Sequence, residues 1–380
     1  MKWTQEFRDG SLARGLADAL AAEARSDRRY AFMEFCGGHT HALYEHGLLD
    51  LLPGNLRMVH GPGCPVCVLP IGRLDQAIDL AKRPGVTLCA YGDVLRVPAS
   101  KGRSLQSARA EGAEVRMITS ALEAVALARE QPEREVVLFA IGFETTTPPT
   151  ALAVEQAARE GLANFSVLCN HVRTPAAMRR ILTGAEGEGT PEVAIDGLVG
   201  PGHVSTVIGT HPFETFARDC GYPVAVAGFE PLDLLQAILM LLRQVNAGRA
   251  AVELQYGRAV RPEGNRTALD LMARVFALRD RFEWRGLGEV PQSALTLAEA
   301  YAGFDAERRF DLPEAQVPDN PACICGDVLR GAADPPDCKL FATACTPDRP
   351  MGSCMVSPEG ACAAHYAYRR FDARREAAAP

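Results

Sequence analysis

Eight short apolar runs, each followed by a stretch of helix-forming composition, restrict this chain more than any other feature. They read YAFMEFC (30–36), LRMVH (56–60), VTLCAY (86–91), VRMI (115–118), VVLFAI (136–141), FSVLC (165–169), DGLVG (196–200) and VAVAGF (224–229). Their starts lie roughly 20 to 30 residues apart, about the length of one strand-plus-helix unit. Runs that are apolar without alternation suit parallel strands covered by helices on both faces, because neither face then meets water. The pattern predicts an α/β protein. Eight units also suit a closed barrel, and periodicity alone does not separate the two. Two tripeptides recur, GPG at Gly61 and Gly200 and GFE at Gly142 and Gly228. This repetition favours two similar α/β layers.

At 380 residues and 47% hydrophobic content, the chain is long enough for two or three cores. A proline interrupts a long helical stretch at 131–133, which places the first boundary there, and the Gly- and Glu-rich segment 184–191 reads as an exposed loop. After Gly264 the stretch NRTALDLMARVFALRDRFEW has apolar positions at helical spacing. From Pro313 onward regular periodicity is absent and Pro, Gly and Cys dominate. Such a tail needs help to hold together, and cysteine-bound metal supplies it. The expected division is an α/β domain over 1–131, a second over 132–248, and a helical, cysteine-rich domain over 249–380.

The net charge of −7 is spread along the chain, which gives no footing for a nucleic-acid surface or an acidic tail. The start, MKWTQEFRDG, lacks the apolar core of a signal peptide, and the most apolar helix candidate, 232–245, carries Asp233, Gln236 and Arg243. A cytoplasmic location follows as the expectation. In that reducing setting the 12 cysteines point to metal ligation or redox chemistry before structural disulfides.

Three cysteine groups carry the chemistry. Cys36-Gly-Gly-His39-Thr-His41 follows a strand and precedes a helix expected from near Ala42, where free N–H groups would lower a thiol's pKa. Thiolate and imidazole suit iron or zinc; a buried cysteine beside two histidines bonded to backbone carbonyls is the plainer alternative. In GPGCPVC, Gly and Pro confine the backbone to a turn, and Cys64 and Cys67 share one side of it. That spacing suits a dithiol or half of a zinc site, and no second CxxC is present to complete the latter. In the tail, Cys323, Cys325, Cys338, Cys345, Cys354 and Cys362 offer several ways to choose the four thiolates of an iron–sulfur cluster, although their spacings match neither ferredoxin pattern. Zinc stays open on spacing alone. Weaker candidates are Asp93, the loop GFETTT (142–147), NHVR (170–173) and GPGH (200–203), the last two expected to face a common cleft. No Walker loop or GxGxxG turn supports a nucleotide site.

Taken together, FCGGHTH, HGPGCPVCVLP, YGDVLRVP, GFETTTP, CNHVRTP, PGHVSTVIG, CICGDVLRG, DCKLFATACTP and GSCMVSPEGAC closely resemble the HypD family of hydrogenase maturation factors, in collinear order from about Glu34 to Tyr368. Ala99, where the family often has Gly, and Pro358, in a run that is usually SSEG, are departures that remove no thiol. The resemblance implies two Rossmann-like α/β domains with parallel sheets and a C-terminal domain holding a 4Fe-4S cluster. It implies a HypC-type small chaperone and a HypE-type cyanide donor as partners in assembling the Fe(CN)2CO unit of nickel–iron hydrogenase. By motif, Cys36 would be the thiolate on the transient iron, His39 would sit beside it, and Cys64 and Cys67 would be the redox dithiol. Cys325, Cys338, Cys345 and Cys362 would hold the cluster, leaving Cys323 and Cys354 as a second thiol pair. The role implied is that of an accessory protein rather than a stand-alone enzyme, with the cluster supplying reducing equivalents toward Cys64, Cys67 and the Cys36 iron. A free-standing disulfide reductase and a zinc-stabilised binding protein are the competing classes; the first predicts turnover of small disulfides, the second a colourless preparation.

Overall fold

The computed structural model describes residues 5–184, 193–313 and 316–369. The segment 185–191 of the expected exposed loop lies outside the described residues. All eight apolar runs are strands: β1 (Tyr30–Glu34), β2 (Leu56–His60), β3 (Val86–Tyr91), β4 (Val115–Ile118), β5 (Glu135–Gly142), β6 (Phe165–His171), β7 (Gly197–Pro201) and β8 (Val224–Ala227). A ninth, β9 (Val252–Leu254), is three half-buried residues, too short for a pattern to reveal. They pair in parallel in two open sheets, β2-β1-β7-β8-β9 and β4-β3-β5-β6, which excludes the barrel.

Alternate residues of each strand enter different cores. Tyr30 and Phe32 pack with the helices Gly10–Glu23 and Pro231–Asn246 on the outer face of the first sheet. Ala31, Met33 and Val59 enter a central core shared with Leu88, Val137 and Phe139 of the second sheet. Cys89, Leu138 and Val167 pack outward against the helices Ala121–Glu130 and Thr147–Glu160. Both faces of both sheets are covered, which is why the runs lack polar alternation. Burying one large side chain such as Phe32 or Phe139 contributes roughly 2 kcal/mol.

The chain interleaves the sheets. It leaves the first after β2, builds the whole of the second, and returns at β7. The boundary expected at 131 therefore falls between β4 and β5, inside the second sheet, and the one at 248 precedes β9, which completes the first. Composition marks where the helix Ala121–Glu130 stops, but helix stops recur after every unit and do not report which sheet the next strand joins.

The helical stretch expected after Gly264 is half the predicted length. Asn265 caps the helix Arg266–Val275 by accepting from the Ala268 N–H. The following residues form β10 (Phe276–Leu278) and β11 (Arg281–Trp284), which pair antiparallel with β13 (Leu295–Leu297) and β12 (Gly288–Pro291). Phe276, Phe282 and Trp284 are buried, and this aromatic packing overrides a spacing that also fits a helix. The tail beyond has two short helices, Cys325–Leu329 and Ala361–Arg369, and the second packs on the helix Gly37–Glu45. Among the described residues no helix is long and apolar enough to cross a membrane.

Candidate thiol and metal centre

In the first sheet β1 lies between β2 and β7, so successive connections leave it on opposite sides and open a crevice at the strands' carboxyl ends. Cys36 stands in this crevice. It is the N-cap of the helix Gly37–Glu45, so CGGHTH forms the first turn rather than a loop ahead of Ala42. The glycines are dictated by close neighbours: a Cβ on Gly37 would meet Glu359 at 2.4 Å, and one on Gly38 would meet the Phe229 ring at 3.0 Å and Cys36 Sγ at 3.7 Å.

The lowered pKa expected for Cys36 is not what its surroundings produce. Burial, then the carboxylates of Glu359 and Glu34, push the thiol up to about 12 against the N–H groups of Gly38 and His39. His39 is fully buried, with Nε2 at 3.2 Å from the Ala227 carbonyl oxygen and its ring on Phe229 at 5.0 Å between centroids. Its Nδ1 is buried without a hydrogen-bond partner, and burial lowers the ring's pKa to about 4. With Nε2–H donated to the carbonyl, Nδ1 presents a lone pair. His41 meets the Pro358 carbonyl oxygen. Both histidines thus bond to backbone carbonyls, as the plainer alternative has it, and only His39 keeps a nitrogen unspent.

Glu34 is the main residue that motif reading passed over. Its carboxylate is fully buried and accepts from the Cys36 N–H at 2.8 Å, the Thr40 hydroxyl and His60 Nδ1 at 3.1 Å. His60 Nε2 in turn meets the Tyr44 hydroxyl at 3.0 Å. A lone carboxylate inside the apolar run YAFMEFC was the available signal, since an acid in a parallel strand must find donors.

Cys64 and Cys67 are joined by a disulfide at the end of β2. Their loop and the Cys36 loop touch backbone to backbone. The Gly37 N–H donates to the Gly63 carbonyl at 3.1 Å, and a Cβ on Gly63 would lie 2.4 Å from the Cys36 nitrogen. Glycine at 63 is therefore required by close approach.

All six tail cysteines line one small cavity, whose other walls are Ile324, Val328, Phe341, Gly352 and Met355. The Cys325 and Cys354 sulfurs are 2.7 Å apart. Thiol donation from Cys323 and Cys354 holds Cys325 well below the usual thiol value, outweighing burial, with Arg285 and the Ser353 hydroxyl adding to the effect. Cys354 is correspondingly held well above it by its contacts with Cys325 and Cys362. The cavity joins the disulfide through Ser353, which is fully buried: its hydroxyl donates to the Cys67 carbonyl at 2.7 Å and lies 3.6 Å from Cys325 Sγ. As a set of donors, six sulfurs among apolar walls suit an iron–sulfur group. The sulfurs are packed against one another, and among the described residues no three His, Cys, Asp or Glu side chains are drawn up in metal-ligating geometry.

The weaker candidates are mostly satisfied locally. Glu144 is buried and accepts from the Thr174 N–H at 3.0 Å and hydroxyl at 2.9 Å. His171 bonds to the Thr150 hydroxyl at 2.9 Å and the Gly142 carbonyl at 3.4 Å. Asp93 is exposed near Glu359, whose pKa is raised by burial first and by Asp93 next. Loop 170–173 faces a cavity that loop 200–203 does not line. Arg173 lines a cavity of about 1010 Å³ with Arg179, Arg281 and Leu287, which contains no cysteine. His203 stacks against Phe229 at 3.7 Å between centroids, and Phe229 in turn packs on the His39 ring.

A family model described as HypD, hydrogenase formation hypA family, matches residues 11–369. The chain is 60% identical over 371 residues to hydrogenase maturation factor HypD2 of Bradyrhizobium diazoefficiens, with 98% of each chain covered. It is 62% identical to hydrogenase maturation factor HypD of Azotobacter vinelandii over 97% of each chain. Against hydrogenase maturation factor HypD of Escherichia coli K12 the identity is 44%, over 97% of this chain and 99% of that one. A match that runs through all three sulfur groups at this level of identity is a family relationship, and the chain belongs to the HypD hydrogenase formation family.

Proposed function

We propose that this chain is a cytoplasmic, redox-active scaffold for hydrogenase maturation. With a HypC-type chaperone it holds the iron while cyanide, from a HypE-type donor, and CO are installed to make Fe(CN)2CO. The observation that carries this reading is the convergence of three sulfur groups: Cys36 touches the Cys64–Cys67 loop at Gly63, and Cys67 touches the six-cysteine cavity through Ser353.

The iron is cargo. Cys36 offers it one thiolate and the unspent Nδ1 of His39 one lone pair, while Glu34 and Glu359 place negative charge beside them, which holds the proton on the free thiol and attracts a cation in its place once that proton is lost. A partner's cysteine completes the grip. The Cys64–Cys67 disulfide opens on gaining two electrons and two protons, and closes on releasing them.

In the tail, the 2.7 Å contact favours Cys325 and Cys354 as the thiol pair. Cys323, Cys338, Cys345 and Cys362 then remain as the four thiolates, a different division from that implied by motif. A 4Fe-4S cluster bound by those four would supply electrons one at a time.

The test is maturation in cells whose own copy has been replaced by a variant with Cys64→Ala and Cys67→Ala. Hydrogenase activity should fall to the level seen without the chain; normal activity would overturn the redox reading. Anaerobic purification should give a brown protein with iron and sulfide, and a colourless zinc protein would overturn the cluster.

A further inference from the structure

The cavity of about 1010 Å³ between the helix Thr174–Thr183 and the β11–β12 hairpin takes no part in the sulfur chemistry, and its charge is lopsided. Arg173, Arg179 and Arg281 line it, and Glu289 is the one carboxylate among the described lining residues. Glu289 is already engaged: it accepts from Gln316 Nε2 at 2.9 Å and lies 3.5 Å from Arg281. Arg173 and Arg179 have neutral partners. Arg173 donates to the Gln292 carbonyl at 3.3 Å, and Arg179 donates to the Thr215 hydroxyl at 3.3 Å with its guanidinium 5.5 Å from the centre of the Phe216 ring. The carboxylates that feel their charge are held by other groups: Arg218 forks Asp219 at 2.7 and 3.0 Å, and Thr174 donates twice to Glu144. Two cations thus face the groove without a counter-charge of their own.

The opposite wall is backbone. Five consecutive residues, 288 to 292, all line the cavity. Side chains of a strand alternate between its faces, so an unbroken run of lining residues marks a strand seen edge-on. β12 pairs only with β11, which leaves that edge without a strand. Gln292 ends the run at φ +48°, unusual for a residue with a side chain, and is held there by its N–H on the Asp280 carbonyl at 3.0 Å and by Arg173 on its own carbonyl. Across the groove, Arg173 and Arg179 are six positions apart, about 9 Å along a helix axis. Residues i and i+2 of an extended chain point the same way about 7 Å apart, within reach of two long guanidinium stems. We propose that this groove docks an extended, acidic segment of a partner protein, which adds as a strand to the edge of β12 and presents carboxylates at alternate positions to Arg173 and Arg179. A nucleotide fits poorly. Among the described residues no aromatic side chain lines the cavity to stack a base, Pro175 has no N–H to offer a phosphate, and the N–H of Thr174 is spent on Glu144.

The experiment offers the purified full-length chain, immobilised at low salt, a soluble library of short peptides randomised at every position, and reads the bound pool by mass spectrometry. Peptides with Asp or Glu at positions i and i+2 should be enriched about tenfold over the input, and the enrichment should fall to background in the double variant Arg173→Gln, Arg179→Gln. Arg179 is exposed, so Arg179→Gln alone serves if the double variant does not fold, with a loss of about threefold. Hydrogen exchange of the wild type with an enriched peptide should slow at the amides of 288 to 290, where a new strand would pair. A bound pool no more acidic than the input, or enrichment that survives in a folded variant, overturns the docking site. Acidic enrichment with unchanged exchange at 288 to 290 overturns the strand-edge seat. Inorganic pyrophosphate that binds the wild type and not the double variant, with no peptide enriched, overturns the proposal in favour of a phosphate ligand.

Discussion

At the carboxyl end of the first sheet, the Cys36 and Cys64–Cys67 loops meet groups brought from the tail: Glu359 lies against Gly37, and Ser353 donates to the Cys67 carbonyl. At the carboxyl end of the second, Glu144 is answered by Thr174 and His171 by Thr150, all within the sheet and its own helices. The thiols differ in the same way. Cys36 is raised to about 12 by burial and by two carboxylates, whereas Cys169 in β6 is raised to about 11 by burial with Arg279 and Arg73 pulling the other way. Both sheets end in conspicuous motifs, and both have a crevice where strand order reverses. The difference lies in what covers that crevice. Where threonines of the sheet's own helices satisfy the carboxylate and the imidazole, the motif holds the fold; where the cysteine-rich tail closes the crevice, a lone pair and an acid-framed thiol remain for chemistry.

The largest expected effect tests that acid frame. In iron-free protein, iodoacetamide should label Cys36 about a thousandfold more slowly than in the unfolded chain at about pH 8, because only the thiolate reacts. The sign follows from a folded pKa raised from 9.0 to about 12: labelling should climb steadily as pH rises toward that value. Equal rates in the folded and unfolded chains would remove the contrast between the two crevices.

Next in size is the contact between loops. Gly63→Ala puts a Cβ 2.4 Å from the Cys36 nitrogen, and the fold should lose on the order of 3 kcal/mol in denaturant unfolding. Gly161→Ala is the matched control on the second sheet's helix, with φ +66° and open space around its Cβ, and should cost about 1 kcal/mol. Similar losses at both positions would mean that Gly63 answers only to its turn.

The smallest effect sharpens the other side. Thr174→Val removes the hydroxyl that donates to Glu144 and should cost about 1 to 2 kcal/mol of stability. Hydrogenase activity per folded molecule should not change. A loss of maturation without a loss of stability would place the second sheet's loop in the functional site.

Much of this was legible residue by residue. The eight runs became strands because burial on both faces leaves the same apolar signature wherever the strand lies, and β9 escaped because three residues carry no period. The boundary near 131 did not mark a change of sheet, since a helix stop is local and sheet membership is not. FALRDRFEW fits both helical spacing and a hairpin, and only the burial of Phe276, Phe282 and Trp284 against their partners decided between them. In the site, Cys36, Cys64 and Cys67 announced themselves by type and spacing. Glu34, Ser353 and Glu359 did not, because a carboxylate or a hydroxyl shows its use only through what stands opposite it.

Residue type and spacing are enough to establish the kinds of group present: parallel strands buried on both faces, a Cys-x-x-Cys turn, a cysteine beside two histidines, and a tail that six cysteines dominate. Which of them meet is a matter of the folded arrangement. It placed Ser353 on Cys67 across 286 positions of sequence, set Gly63 on the backbone of Cys36, and framed Cys36 with acids where the start of a helix alone would have favoured its thiolate. Periodicity reports that a residue is buried. What it is buried against depends on the order in which strands join their sheets, and for thiols and carboxylates that neighbour sets the chemistry.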